Sequence, residues 1–389
     1  MASDPRTLSI LGATGSIGVN TLDVVRHMGG RDAFEIVALT GLANVHLLAK
    51  QAIEHGVQIA VTADESQYSA LKEALSGTGI NAAAGRQALI DAAAIPADIT
   101  MAAIVGTAGL EPTLAAVKNG GMIALANKEC LVAGGELFMD AVKAAGATLL
   151  PVDSEHNAIF QVLDGEDRSS LERVVLTASG GPFRTWPLEK MANVTVAAAR
   201  AHPNWSMGLK ISIDSASMFN KALEMIEAKH LFALRPEQVE VIVHPQSIVH
   251  SMVAYHDGSI LAQLGPSDMR VAIGYALNHP ERGHLPVERL DFAKLSRLDF
   301  EAPDEARFPA LRLARQAMEQ GGLSGAVLNA AKEVALEAFI AGRLPFLKMA
   351  EVVEKVMETM NTGSALDLAS ILEADTSARR NATEIIAKP

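Results

Sequence analysis

Short apolar runs alternate with helix-periodic stretches through the first 150 residues. The runs of strand length are Leu8–Leu11, Phe34–Thr40, Ile59–Thr62, Ile104–Val105, Met122–Ala124 and Thr148–Pro151. Helical periodicity predicts helices at Val19–Met28 and His46–His55, between the first three runs. Strands and helices in this alternation predict a parallel, doubly wound sheet of the Rossmann-like α/β class.

The pattern changes after residue 150. Arg173–Ala178 and Glu240–His250 predict strands, and the stretch from Ser217 to Phe232 between them predicts a helix. From Ala310 to about Met360 helical periodicity dominates, with a break at two adjacent glycines. The predicted organisation is an N-terminal α/β domain (1–150), a central α+β domain (151–284), a connector (285–309) and a C-terminal helical domain (310–389).

Composition excludes several classes of function. The net charge of −12 does not suit a nucleic-acid backbone, which needs a basic surface. The longest stretch without Asp, Glu, Lys or Arg, Val241–His256, contains Pro245 and is too short to span a bilayer. A single cysteine, Cys130, fits a reducing compartment, and Met1–Thr7 lacks the apolar core of a signal peptide. We therefore expect a soluble cytoplasmic protein that binds neither nucleic acid nor membrane.

Three glycines, Gly12, Gly15 and Gly18, follow the first predicted strand and open the first helix. Glycines let the chain turn tightly against a pyrophosphate, and a helix N-terminus offers free N–H groups to the anion. Thr14, Ser16 and Ile17 supply further contacts in the same turn. The alternative is a glycine-rich turn without a ligand.

The end of the second strand bears on the choice of dinucleotide. NAD enzymes usually place an acidic residue there to hold the ribose diol. Here Gly41 is followed by Leu42, Ala43 and Asn44, so no carboxylate would repel the 2′-phosphate of NADPH. Asn44 offers a donor to the ribose or the phosphate.

Polar residues follow two later strands. Asn127-Lys128-Glu129 lies at the carboxyl end of a predicted parallel strand, where such sheets bind ligands, although a solvated helix start has the same pattern. Asp153 and Glu155 stand two residues apart, and an extended segment would place both carboxylates on one face. Such a pair attracts a hard cation, with Glu224 as the third candidate ligand and His156 as a less favoured one.

A second polar cluster is predicted around the middle helix. Asn220, Lys221 and Glu224 would share one helical face, where the first two could hold a phosphate and the third a metal; an ordinary surface ion pair is the alternative. Ser179 and Ser215 offer hydroxyls near strand and helix ends. The segment Ala201–Leu209 is typical of a mobile lid, with Trp205 as the group that packs on a ligand and Gly208 as a hinge.

These motifs together resemble the 1-deoxy-D-xylulose 5-phosphate reductoisomerase family along essentially the whole chain. The matching stretches are Gly12–Gly18, Ala126–Glu129, Pro151–Gln161, Ala178–Arg184, His202–Glu224 and His244–Val253. The combination of His-Pro-Asn-Trp-Ser-Met-Gly with Asn-Lys-Glu and Asp-Ser-Glu-His-Asn is specific to that family. One departure is Leu42-Ala43, where the family often has a basic residue, which weakens the expected hold on the 2′-phosphate.

The resemblance implies a set of site residues. The implied metal ligands are Asp153, Glu155 and Glu224, with Mg²⁺ or Mn²⁺ and with Co²⁺ as a further candidate. The implied substrate contacts are Lys128, Ser154, Glu155, Ser179, His202, Ser215, Asn220, Lys221 and Glu224, to which Trp205 is added as the lid. The implied cofactor contacts are Thr14, Gly15, Ser16, Ile17, Asn44, Asn127, Glu129 and Gly208, and we add Gly41.

The resemblance also implies that domain 1–150 binds NADPH and that domain 151–284 is the catalytic domain, which binds the metal and the substrate. It further implies an activity. It is the NADPH-dependent rearrangement and reduction of 1-deoxy-D-xylulose 5-phosphate to 2-C-methyl-D-erythritol 4-phosphate, in the non-mevalonate route to isoprenoid precursors, by a homodimer. Lys128, Asp153, Glu155 and Glu224 would be the catalytic residues. Two rivals are a semialdehyde dehydrogenase, which would need Cys130 as nucleophile, and a non-catalytic NADP-binding sensor, which would need no metal.

Overall fold

The computed structural model describes residues 4–205, 207–360, 362–364 and 367–388. Contacts group the chain into two compact units. The first unit comprises Met1–Cys130, Asp140–Asn157 and Asp268–Glu288, and the second comprises Leu131–Met139, Ala158–Ser267 and Arg289–Pro389. The division into an NADPH-binding domain, a catalytic domain, a connector and a helical domain stays a prediction.

A parallel sheet forms the centre of the first unit. Its strands are β1 (Arg6–Leu11), β2 (Phe34–Gly41), β3 (Ile59–Thr62), β4 (Asn81–Ala84), β5 (Ile99–Ala102), β6 (Met122–Leu125) and β7 (Thr148–Pro151). The strand order within the described residues is β4-β3-β2-β1-β5-β6-β7. The chain order therefore reverses between β1 and β5, which creates the switch point where such sheets bind ligands. The predicted doubly wound sheet is confirmed.

A mixed sheet belongs to the second unit. Its strands are β8 (Leu171–Ala178), β9 (Val239–Val243), β10 (Val249–Tyr255) and β11 (Ile260–Leu264). The order is β11-β10-β8-β9 over the described residues, with β8 and β9 parallel and the other pairs antiparallel. Glu301 bridges to Val243 along β9, so the region predicted as a connector supplies backbone to one edge of this sheet.

The helices flank both sheets and make up the C-terminal part of the chain. In chain order they are α1 (Ser16–His27), α2 (Val45–His55), α3 (Tyr68–Ala74), α4 (Gly85–Ala93), α5 (Leu110–Val117), α6 (Glu129–Ala145), α7 (Ser154–Leu163), α8 (Leu188–Met191), α9 (Val196–Arg200), α10 (Leu209–Ala216), α11 (Phe219–Leu231), α12 (Met269–Asn278), α13 (Phe292–Leu295), α14 (Ala310–Gln320), α15 (Ser324–Ile340), α16 (Lys348–Thr359) and α17 (Leu368–Ala387). The predicted break at the glycine pair is confirmed between α14 and α15. Within the described part of the chain, every helix is too short or too polar to cross a bilayer.

The structure differs from two of the predicted strands. Ile104–Val105 is a loop, because the buried segment that pairs with β1 and β6 is Ile99–Ala102, while Val105 is 66% exposed. The run Glu240–His250 breaks at His244, since Pro245 has no N–H to donate and Ser247 adopts a positive φ of 52°. Two strands, β9 and β10, stand where one was predicted.

Candidate active site

The glycine turn between β1 and α1 has the close packing that a phosphate-binding turn needs. Gly12 has a φ of +93°, and a Cβ there would lie 2.6 Å from the carbonyl oxygen of Ala103. A Cβ on Gly18 would lie 2.5 Å from the carbonyl oxygen of Gly12. Glycine is therefore required at both positions. Gly15 caps α1 in an extended conformation, so the first N–H groups of the helix remain open to an anion.

The end of β2 lies beside this turn. A Cβ on Gly41 would lie 3.1 Å from Oγ1 of Thr14, so a larger residue would displace the Thr14 side chain. Asn44 caps α2, and its Oδ1 accepts a hydrogen bond from Leu47 N at 3.2 Å. The amide nitrogen of the same exposed side chain faces away from that bond and is a donor at a helix N-terminus.

Asn127, which follows β6, fastens the loop after β5. Its side-chain amide donates to the carbonyls of Ile104 and Gly106, the latter at 2.9 Å, and its Oδ1 accepts from Cys130 N at 3.1 Å. The predicted strand at Ile104–Val105 is therefore a loop held by Asn127. Glu129 begins α6 directly after Lys128.

Lys128 and Asp153 form a partly buried ion pair, with Nζ 2.7 Å from Oδ2. The prediction of an extended segment at Asp153–Glu155 is wrong. Asp153 precedes α7, and its Oδ1 accepts from the N–H of Glu155 at 3.1 Å, so the two carboxylates stand at a helix start. A carboxylate that accepts this bond is favoured there by the helix dipole.

The neighbours of Asp153 complete a polar group within the first unit. Ser154 donates its hydroxyl to Oε2 of Glu155 at 2.7 Å. His156 is fully buried, and its Nδ1 lies 3.6 Å from Oδ1 of Asp153. The His156 ring is buried beside Asp153. We therefore take the carboxylate oxygens, and not the imidazole, as the groups available to a cation.

Asn220, Lys221 and Glu224 share one face of α11, as predicted. The Asn220 amide and the Lys221 ammonium both donate to the Glu224 carboxylate. Lys221 and Glu224 are buried, which rules out the alternative of an ordinary surface ion pair. A buried carboxylate held by a cation and an amide costs free energy to desolvate, and such groups concentrate at functional sites.

Ser179 and His202 are hydrogen-bonded, with Oγ 2.9 Å from Nε2. The Nδ1 atom of His202 accepts backbone N–H bonds from Asn204 at 3.2 Å and Trp205 at 2.9 Å, so the ring proton is on Nε2 and points at Ser179. Burial lowers the pKa of His202 to about 4, which keeps the ring neutral at pH 7. Ser179 Oγ also accepts from Gly181 N at 3.1 Å, so its own hydroxyl hydrogen points away from these two donors.

The loop after β8 packs against the end of α10. Gly181 has a φ of +66°, and a Cβ there would lie 3.0 Å from the carbonyl oxygen of Ser215. Ser215 is thus close to the Ser179 loop. After α10 the chain turns at Met218, with a φ of 63°, and α11 begins with Asn220 and Lys221 in its first turn. Ser179 and Ser215 therefore lie on adjoining segments of the second unit, His202 is bonded to Ser179, and Asn220 and Lys221 follow Ser215 along the chain.

The predicted lid, Ala201–Leu209, is mostly irregular. Trp205 lies with its ring 6.1 Å from the His250 ring, and Asn204 donates to the carbonyl of Pro245 at 2.6 Å. Gly208 caps α10 in an extended conformation. Ser206 lies outside the described residues. The mobility of this segment stays a prediction.

Three family models match consecutive parts of the chain. Residues 8–135 match 1-deoxy-D-xylulose 5-phosphate reductoisomerase, residues 149–232 match the C-terminal domain of the same enzyme, and residues 264–381 match a DXP reductoisomerase C-terminal domain. Among curated proteins, the 1-deoxy-D-xylulose 5-phosphate reductoisomerase of Rhizobium rhizogenes is 66% identical over 98% of this chain and 97% of its own length. The protein of the same name from Rhizobium meliloti is 67% identical over 98% of both chains.

The chain belongs to the 1-deoxy-D-xylulose 5-phosphate reductoisomerase family. The resemblance expected from the sequence is thereby confirmed. A solved reductoisomerase from Zymomonas mobilis in complex with NADPH is 50% identical, with a TM-score of 0.93 over 99% of this chain and 100% of that one. A second, in complex with NADPH, fosmidomycin and magnesium, is 42% identical, with a TM-score of 0.93 over 98% of both chains.

Two residues of this reductoisomerase site have roles that the sequence did not reveal. Asn127 has a side chain that fastens the loop after β5, and its expected contact with the cofactor stays a prediction. Gly181 joins the Ser179 loop to α10, and its signal in the sequence was the glycine pair directly after a strand. Both depend on contacts between segments distant along the chain.

Proposed function

We propose that the chain catalyses the NADPH-dependent conversion of 1-deoxy-D-xylulose 5-phosphate to 2-C-methyl-D-erythritol 4-phosphate, a step in the synthesis of isoprenoid precursors. The observation that carries this proposal is the identity of 66% to a curated reductoisomerase over nearly the whole chain. The local geometry supports it, because the glycine turn and both polar clusters have the chemistry that a dinucleotide, a metal and a phosphate require.

The carboxylates of Asp153, Glu155 and Glu224 are the proposed ligands of a divalent cation. Each residue offers one oxygen as a ligand atom. Hard cations such as Mg²⁺ prefer this donor set, and Mn²⁺ or Co²⁺ would also fit it. Lys128 pairs with Asp153 and Lys221 with Glu224, so two of the three acidic side chains have a lysine beside them. Bound there, Mg²⁺ would supply Lewis-acid polarisation of the substrate's oxygens.

Lys128 and the acidic residues have separate tasks in the proposed mechanism. The ammonium of Lys128 is placed by Asp153 and orients the reacting oxygens of the substrate. Ser154, bonded to Glu155, contacts the same end of the substrate. Holding the reacting carbons in one orientation favours the rearrangement, because proximity lowers the entropic part of the barrier.

The glycine turn is the proposed seat of NADPH, which supplies the hydride. Thr14, Gly15, Ser16 and Ile17 would contact its phosphates, and Gly41 leaves room for Thr14. Asn44 would donate to the ribose end, with Glu129 and Gly208 as further contacts. Asn127 would act through the loop that it fastens. The lack of an acidic side chain after β2 favours NADPH over NADH.

Ser179, Ser215, Asn220 and Lys221 are the proposed anchors of the substrate phosphate. Their support is the pair of hydrogen bonds that Ser179 accepts from His202 and Gly181, and the place of Asn220 and Lys221 in the first turn of α11. The neutral ring of His202 donates a hydrogen bond to Ser179 and thereby orients it. Trp205 would close over the bound sugar and exclude water, which strengthens charge interactions at the site.

A homodimer and a cytoplasmic location complete the proposal. Strand β11 lies at the edge of its sheet and exposes Ile260 and Leu261, while Glu301 bridges the opposite edge strand. An open apolar edge is a ready surface for pairing with a second copy. Cys130, the single cysteine of the sequence, is buried, which suits a reducing compartment.

The burial of Cys130 disfavours the semialdehyde dehydrogenase alternative. Cys130 is completely buried, and its Sγ lies 4.0 Å from Oγ1 of Thr113. A nucleophilic thiol must be partly exposed to meet a substrate. Blocking of thiols in the folded protein is expected to leave activity intact.

Glu224→Gln tests the proposed metal site. We expect turnover to fall at least about 100-fold, because the amide cannot replace a charged ligand, while NADPH binding stays nearly unchanged. Glu227→Gln is the matched control, since Glu227 is equally buried one turn along the same helix and is not a proposed ligand. Equal losses of turnover and NADPH binding in Glu224→Gln would count against the assignment.

A further inference from the structure

A buried ion pair in the second unit takes no part in the mechanism described so far. Nζ of Lys332 lies 2.9 Å from Oδ2 of Asp214, and their side chains are 3% and 9% exposed. Burying two charges costs nearly as much as their attraction returns, so such a pair adds little net stability. The specific geometry that the pair imposes explains its presence better than a gain in stability does.

Asp214 stands at the junction of the proposed phosphate anchors. It lies in the last turn of α10, one residue before Ser215. The carbonyl of Ser215 is in turn the close neighbour of Gly181, in the loop that carries Ser179. Two residues after the helix ends, the chain turns at Met218 into α11. The position of this turn of α10 therefore affects Ser215 directly and the adjoining anchors through the backbone.

Lys332, the partner of Asp214, lies on a helix that is itself paired with a neighbouring helix. It lies in the middle of α15, whose next residue, Glu333, pairs with Arg379 of α17 at 2.6 Å. Like the buried pair, a second ion pair joins α10 to α15, with Nζ of Lys210 2.8 Å from Oε1 of Glu337. Those side chains are 53% and 54% exposed, so that pair contributes little. The buried pair of Lys332 and Asp214 is therefore the contact that holds α10 to α15, and we call it the tie.

We propose that Lys332 is a positioning residue for recognition of the substrate's phosphate. Through Asp214 it fixes the last turn of α10 and thereby the direction of the Ser215 hydroxyl. The proposal rests on the proposed function for the identity of the phosphorylated substrate. Without the ammonium, Asp214 is a buried carboxylate lacking this counter-charge, and the turn shifts to solvate it or the carboxylate takes up a proton.

Lys332→Met tests the proposal through binding of inorganic phosphate and through steady-state kinetics. We expect the dissociation constant of inorganic phosphate and the KM for 1-deoxy-D-xylulose 5-phosphate to rise at least about tenfold, because small displacements of anchoring groups are costly. The KM for NADPH and kcat should stay within about twofold, since the tie acts on the phosphate alone. Lys332→Arg should restore part of the loss.

Glu337→Gln is the matched control. It removes the exposed pair between the same two helices and should leave both phosphate binding and the KM values unchanged. The double variant Asp214→Asn with Lys332→Met separates positioning from stability. It should recover the unfolding temperature, because no charge is left buried alone, but not phosphate binding, because the tie is still missing.

The outcomes separate this inference from the proposed function. Wild-type protein that binds inorganic phosphate but shows no turnover would refute the proposed function, and weakened phosphate binding in Lys332→Met would still support the tie. Unchanged phosphate binding and KM in a folded Lys332→Met variant would overturn the inference. So would a double variant that regains phosphate affinity together with stability.

Discussion

His202 shows how a single residue can be fixed in one protonation state by its neighbours. Two backbone N–H groups donate to Nδ1, so the ring must carry its proton on Nε2, where it meets Ser179. Burial lowers the pKa of the ring to about 4 and keeps it neutral. The neutral tautomer determines which way the Ser179 hydroxyl points.

The depressed pKa of His202 makes stability depend on pH. The unfolded chain binds a proton near pH 6.5, whereas the folded ring does so only near pH 4, so its contribution is complete above pH 6.5 and is lost as pH falls towards 4. The free energy of unfolding, measured by urea titration across this range, should fall less steeply in His202→Gln, which does not titrate. His230, whose pKa burial also lowers to about 4, should keep part of the slope in that variant. An identical slope in both proteins would contradict the burial argument.

The sequence predicted a set of site residues but not the conformation of every segment that carries them. Asp153 and Glu155 were expected on one face of an extended segment, and they stand instead at the start of α7. Local spacing cannot decide between these conformations, because the helix is stabilised by its N-terminal cap and by its buried face. Asn220, Lys221 and Glu224 were placed correctly, since a helical face follows from spacing alone.

At the scale of elements, the turn between β1 and α1 couples cofactor binding to folding. A Cβ on Gly18 would lie 2.5 Å from backbone atoms of Gly12 and Ala13, so Gly18→Ala must push α1 away from the turn. We expect a loss of about 1–3 kcal/mol in unfolding free energy and a clearly weaker affinity for NADPH, measured by calorimetry. Gly363→Ala, where a Cβ would meet no atom of the described residues within 4 Å, is the control and should change neither quantity. Normal NADPH affinity in Gly18→Ala would show that the turn does not bind the cofactor.

The errors at this scale have a common cause. Ile104–Val105 is apolar and matches a strand, yet the loop conformation is fixed by hydrogen bonds from Asn127, which is distant in sequence. The short strand β4, Asn81–Ala84, was missed because an alanine-rich edge strand lacks the β-branched pattern of its neighbours. Strands with a strong apolar run, such as β3 and β7, were predicted with the correct ends.

At the scale of the whole molecule, the open edge of the second unit's sheet is the proposed route to a homodimer. Leu261→Lys places a charge on β11 and should convert a dimer to a monomer in sedimentation velocity, because an edge lysine opposes strand pairing. Leu188→Lys is a matched control, since both leucines are 44% exposed and Leu188 lies outside the sheet. A wild-type monomer, or equal dissociation in both variants, would refute the assignment of this edge.

The proposed reaction is tested by the absorbance of NADPH in the presence of 1-deoxy-D-xylulose 5-phosphate. We expect oxidation of NADPH with Mg²⁺, arrest on addition of excess chelator, and recovery with Mn²⁺, because the proposed carboxylate ligands accept either ion. The product should be 2-C-methyl-D-erythritol 4-phosphate. A folded protein that binds NADPH but oxidises none of it with any of these metals would refute the proposed reaction.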